Sequence, residues 1–233
     1  MAVAFDAATE SVRTATTDPY SFSHTGRAEV SGGVQGAILC AVHGTSSTDH
    51  IVGVTYGGVA MARAVTHVDT ANEPGRSDIW WVGAGLTGGA QTVAIDFSSA
   101  TGDDFHFVAI SLTGAGDIFL VDSDGLDNNQ ANPSVTLQYG GRTSIAIAAH
   151  YGGGADGSAF TPNANCETVH DHDLGAFYSE VIRQTTPESA DFAIGGTSGT
   201  DDVAFSAAAF SDEPPPSAVL VDVIAYGVIP FPR

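Results

Sequence analysis

Lysine is absent from this 233-residue chain, so its seven basic side chains are all arginine. Schiff-base chemistry on a lysine amine is therefore excluded. Against those seven cations stand 27 acidic residues, for a formal net charge of −20. A surface of that sign repels phosphate backbones, which argues against nucleic acid as a partner. Solubility is the plainest use of the charge. Long hydrophobic runs are also missing. No segment approaches the ~18 consecutive apolar residues of a membrane helix, and no membrane partner is expected. Only two cysteines occur. Cys40 lies in the apolar run 37–42, where a thiol acts as a small buried hydrophobe, and Cys40 and Cys166 are expected to be free thiols rather than a pair. The first ten residues, MAVAFDAATE, have neither a basic n-region nor an apolar h-region, so synthesis and use without Sec export are expected.

The signatures of catalysis are missing as well. There is no Gly-x-Ser-x-Gly elbow, no phosphate loop and no His-Glu-x-x-His. With no motif of mechanical content, the chain is not expected to be an enzyme or to need a cofactor.

What the chain does have is glycine, 28 of them, with 43% hydrophobic and 15% charged residues. That composition suits many short strands joined by tight turns. The period of two is plainest in Val52, Val54 and Tyr56 and again in Val59 and Met61, where every second side chain is apolar. Gly57-Gly58 between those runs supplies the positive φ that a hairpin turn requires. Strand-like runs recur at 3–5, 20–22, 36–43, 50–56, 59–68, 78–82, 92–97, 105–112, 135–137, 143–149, 176–182, 190–194, 203–210 and 219–224. Turn residues fill nearly every gap, so the expected fold is all-β: one two-layer antiparallel β-sandwich, jelly-roll-like, over residues 1–211. Residues 117–133, acidic and amide-rich, read as a long surface loop with at most a short helical turn.

Residues 212–217 hold Pro214-Pro215-Pro216, a stiff spacer that cannot continue a sheet ladder. Beyond it, residues 218–233 are nearly all apolar and have to be buried somewhere. They form either a last strand of the sandwich or an arm laid on a neighbour by strand addition, with the arm preferred. Its interface residues would be Val219, Leu220, Val221, Ile224, Tyr226, Ile229 and Phe231.

Two constellations suggest metals. Asp122, Asp124 and Asp127 present clustered hard oxygens of the kind calcium takes. Gly125 comes too early for an EF-hand, and a solvated acidic turn is the preferred reading. His170 and His172 share one side of an extended segment and could begin a zinc site, with His150 or Cys166 as a third ligand; a polar strand edge or loop is preferred. Histidines 24, 43, 50, 67 and 106 read as ordinary hydrogen-bonded side chains. Trp80 and Trp81 are neighbours on a strand, so one should point inward and the other outward. The outward ring would serve a subunit contact or stack on a sugar.

The hairpin Thr55-Tyr56-Gly57-Gly58-Val59-Ala60-Met61, the Ile79-Trp80 strand and the segment Gly89-Ala90-Gln91-Thr92-Val93-Ala94-Ile95 resemble β-sandwich modules of tailed-bacteriophage virion proteins, often labelled minor tail proteins. Residues 4–7, 20–24, 107–114 and 144–149 extend the resemblance over about the first 211 residues. It implies a structural role: a minor tail or capsid decoration protein, assembled in the host cytoplasm, with itself and other virion proteins as partners. The alternative is a carbohydrate- or receptor-binding module contacting a host surface glycan.

Overall fold

The apolar runs at 36–43, 105–112, 143–149 and 203–210 are continuous rather than alternating, and their surroundings explain why. Each belongs to a nine-residue strand buried along its whole length, because both faces of its sheet are covered. The computed structural model describes residues 2–14, 18–26, 35–70, 73–98, 103–127, 131–153, 160–198 and 202–215, and among these there is no helix.

Nine strands make the first half: β1 (Ala4–Arg13), β2 (Tyr20–Gly26), β3 (Gly36–Gly44), β4 (Ile51–Tyr56), β5 (Val59–Ala60), β6 (Ala62–Asp69), β7 (Gly75–Val82), β8 (Gly89–Phe97) and β9 (Phe105–Thr113). Eight make the second: β10 (Phe119–Asp127), β11 (Ser134–Leu137), β12 (Ile145–Gly153), β13 (Thr161–Pro162), β14 (Cys166–Asp173), β15 (Phe177–Gln184), β16 (Phe192–Thr197) and β17 (Val203–Ser211). Each half forms a five-stranded inner sheet, ordered β1-β9-β3-β7-β6 and β10-β17-β12-β15-β14. Each also forms an outer sheet, β2-β8-β4-β5 and β11-β16-β13. All pairings are antiparallel, as expected.

The two halves repeat one another. β3 and β12 run end to end in equivalent registers, Gly36 facing Leu112 and Ile145 facing Phe210. At the other end of the same strands Gly44 faces Gly75 and Gly153 faces Phe177. Even the irregularities coincide. β1 shifts register between Phe5 and Ala7, and β10 between Leu120 and Asp122; β6 shifts between Arg63 and Val65, and β14 between Thr168 and His170. Each half is thus a jelly roll in itself.

Side-chain alternation then sorts the chain into three cores. Ile38, Cys40 and Val42 of β3 meet Ile145, Ile147 and Ala149 of β12 in the central core, where the inner sheets stack. Ala37, Leu39 and Ala41, on the opposite face of β3, pack with Val54, Tyr56, Val93 and Ile95 of the first outer sheet. Ala146 and Ala148 of β12 pack with Leu137, Phe192 and Ile194 of the second. The all-β, antiparallel, jelly-roll-like expectation holds, and the layer count differs: four stacked sheets in place of two. Completely buried strands were the sign of this, since a two-layer sandwich leaves each sheet one wet face.

Three local readings are settled by the same geometry. Gly57 and Gly58 have φ of 57° and 82°, which makes the turn between β4 and β5 the expected hairpin. Residues 117–133 are not a loop throughout, since they contain β10, an edge strand whose bulge at Leu120/Asp122 breaks the phase of its alternation. The run 59–68 is two strands, with β5 in the outer sheet and β6, past Met61, in the inner one.

Candidate functional site at the seam between the inner sheets

The inner sheets approach closely where β6 and β7 cross β10, β12 and β17. Small residues make this approach possible. A Cβ on Gly125 would lie 2.2 Å from the His67 ring and 2.2 Å from the Phe205 carbonyl oxygen. Ser77 Oγ donates to Ser206 Oγ at 2.8 Å across the seam, in a dry setting. At the rim His67 Nδ1 and the Val68 amide both reach Asp127 Oδ1 at 2.8 Å.

Those contacts redirect the acidic run. Asp127 receives His67, Asp122 Oδ2 accepts the Gln138 amide at 2.7 Å, and Asp124 Oδ1 accepts that of Gly125 at 2.8 Å. The three carboxylates lie along a strand and are not gathered around a point, so the calcium reading has no geometry behind it. They act instead as local hydrogen-bond acceptors.

At the opposite rim of the seam the sheets stand further apart, and a different set of polar groups meets there. His170 and His172 on β14 pair with Val181 and Ser179 of β15, which turns both imidazoles toward the first half. Glu10 of β1 places Oε2 3.5 Å from His170 Nδ1 and 3.5 Å from His106 Nε2. His106, on β9, is fully buried; its Nδ1 lies 2.8 Å from Ser179 Oγ and its ring centre 5.5 Å from that of His172. Burial, chiefly, with His172 and His170 adding to it, pushes the His106 pKa down to about 3. The sequence brings His170 and His172 to notice but pairs them with the wrong partners. His150 sits on the far side of its sheet, its ring tilted against Phe160 with centres 4.4 Å apart, and Cys166 packs at the edge of the second outer core. Glu10 and His106 could be found only through the pairing of the halves.

A second polar cluster occupies the mouth of the first jelly roll. Arg76 Nε donates to the fully buried Asp78 at 2.9 Å, Arg76 Nη2 reaches Asp49 at 3.0 Å, and Arg63 Nη2 donates to Asp49 Oδ1 at 2.9 Å. The Arg63 guanidinium lies 4.4 Å above the Trp80 ring and, with Asp49, Ile51 and Val52, walls an open cleft of ≈ 440 Å³. Burial raises the Asp78 carboxyl above its ordinary pKa, against the pull of Arg76 and Arg63.

Neither tryptophan is a surface platform. Trp80 is 7% exposed and faces the first outer core, while Trp81 is half-buried and packs 6.1 Å from Phe210 in the central core. The expectation of one outward ring assumed a sheet with a wet face, and β7 has none. Tyr139, Tyr151 and Tyr178, which with Tyr20 could have added to a glycan surface, are likewise buried, and Tyr20 is half-buried. The interface residues Val219, Leu220, Val221, Ile224, Tyr226, Ile229 and Phe231 lie outside the described residues. Compared with known proteins, the chain matches no family model, no curated protein and no solved structure.

Proposed function

We propose that the chain is a structural component of a tailed-bacteriophage virion, a minor tail or capsid decoration protein that works by protein–protein assembly. The resemblance of about the first 211 residues to such modules suggests the setting, and one observation supports the mode of action. The folded body closes before the apolar segment begins. β17, which precedes that segment, already lies between β10 and β12. Its last residue, Ser211, is fully buried and donates its hydroxyl to the Thr143 carbonyl at 2.7 Å. Asp212 and Glu213 then accept the Ala115 and Thr143 amides at 2.7 and 3.1 Å, which ties off the chain at the surface. Pro214, Pro215 and Pro216 follow, and only after them come residues 218–233. A body whose last described strand is buried and tied off, followed in sequence by a proline run and an apolar segment, has the order expected of an assembly arm.

Light scattering on a sizing column tests the arm. The full chain should elute as a defined oligomer and a chain stopped at Ser211 as a folded monomer. Insolubility of the shortened chain would make the segment part of the core, and identical monomers from both chains would remove the arm.

A further inference from the structure

The open rim of the seam departs from the repeat that organises the rest of the molecule. By strand register Glu10 stands where the second half has Gly125, His106 where it has Ala204, and His170 where the first half has Val65. Only His172 has a histidine counterpart, His67, and that one is committed to Asp127. At one rim, then, a glycine and an alanine let the sheets close; at the other, an acid and three imidazoles occupy the wider gap.

The geometry points to a zinc site formed by Glu10, His106, His170 and His172, clamping the two jelly rolls together at this rim. His106 Nε2 is buried and has no hydrogen-bond partner, although a carboxylate oxygen stands 3.5 Å away. Leaving such an atom unsatisfied is unfavourable. A divalent cation between the imidazole and the carboxylate satisfies both. Tetrahedral zinc with bonds of about 2.0–2.1 Å holds neighbouring ligand atoms roughly 3.3 Å apart. Glu10 Oε2 is 3.5 Å from His106 Nε2 and 3.5 Å from His170 Nδ1, close to two edges of that tetrahedron. Metal on Nε2 requires the proton on Nδ1, and Ser179 Oγ, at 2.8 Å, is placed to accept it, as an outer partner that fixes the ligand tautomer.

Among the described residues no three donors yet converge on one point at bonding distance, so the site closes on the ion by side-chain rotation. The groups that have to turn can do so: the Glu10 side chain is 41% exposed and that of His170 31%, while His106 is fixed at 0%. A buried, pre-set ligand with adjustable partners at the rim is a workable entry path for a metal.

The test uses the untagged full chain, stripped with chelator and titrated with Zn²⁺ by calorimetry, with Co²⁺ absorption as a report on geometry. One zinc per chain, a rise in Tm that saturates, and tetrahedral Co²⁺ bands are expected. Glu10→Gln and His170→Gln should each weaken binding about tenfold or more, with the metal-free Tm unchanged because both side chains sit at the rim. His67→Gln, at the equivalent place on the closed rim, should leave binding as it is. Absence of zinc binding by the full chain, or affinity untouched by both Glu10→Gln and His170→Gln, overturns the site.

Discussion

As pH falls below 6.5 the protein should lose stability with a slope set by histidines that the fold holds neutral. Burial pushes His43, His106 and His150 down to about 3 from an ordinary value of 6.5. In that window the unfolded chain takes up three protons at these side chains that the native chain refuses, and each is worth about 1.4 kcal/mol per pH unit. Glu180 works the other way. Burial raises its carboxyl from 4.5 to about 7, with Asp171 adding to the rise and hydrogen bonds from Thr168 and Tyr178 opposing it. Between pH 4.5 and 7 the native state therefore holds a proton there that the unfolded state lacks, and stability from this group falls as pH rises. The variants separate the two effects. His150→Phe, which keeps a ring against Phe160, should reduce the proton uptake on unfolding by one between pH 4.5 and 6.5; Glu180→Gln should increase it by one. Denaturant midpoints measured across that range give both numbers. Variants that share the wild-type slope would mean that these groups are solvated.

Trp80→Ala should be among the most damaging single changes in the chain, through folding rather than recognition. The side chain is 7% exposed, lies in the first outer core and carries the Arg63 guanidinium 4.4 Å above its face. Truncating a buried tryptophan costs ~3–5 kcal/mol, a large part of the ~5–15 kcal/mol that holds a domain together. For a chain of this size that corresponds to a fall in Tm of roughly 6–20 °C. It also releases Arg63 from its platform at the ≈ 440 Å³ cleft. A sugar-binding tryptophan would behave in the opposite way, losing glycan affinity with Tm intact. Thermal unfolding and a glycan array on the same variant tell these apart.

The strands were largely legible in the sequence because period-two patterning and glycine turns are local signals. Val54 and Tyr56 declare β4, although Val52, read as part of the same buried face, is 63% exposed because a bulge between Ile51 and Gly53 shifts the alternation, and Gly57-Gly58 declares the turn that follows. The doubling of the jelly roll was not legible. It survives as register and bulge position, while the side chains at equivalent places have mostly diverged: Ile38 matches Ile147 and Ser77 matches Ser179, but Trp80 faces Ile182 in the comparison and His106 faces Ala204. Strand β10 escaped for a related reason, and β14 is legible only as a polar strand edge or loop. Both lie at sheet edges, both carry a bulge, and an edge strand needs charge on its free side more than it needs alternation. The tryptophan pair misled because adjacent residues on a strand do point to opposite faces, yet in a four-layer stack both faces are interior. Half of the seam site, His170 and His172, could be seen in the sequence. The other half comes from strands more than sixty residues away, and nothing local marks Glu10 or His106 as their partners.

The most direct test of the proposed virion role is to look for the chain in phage particles purified by density gradient from infected cells that produce it. A fixed number of copies per particle is expected by quantitative mass spectrometry, with gold-labelled antibody marking one place on the tail or capsid. A chain stopped at Ser211 should be made in the cell but missing from the particle. A full-length chain abundant in the lysate and absent from purified particles would rule out a virion role.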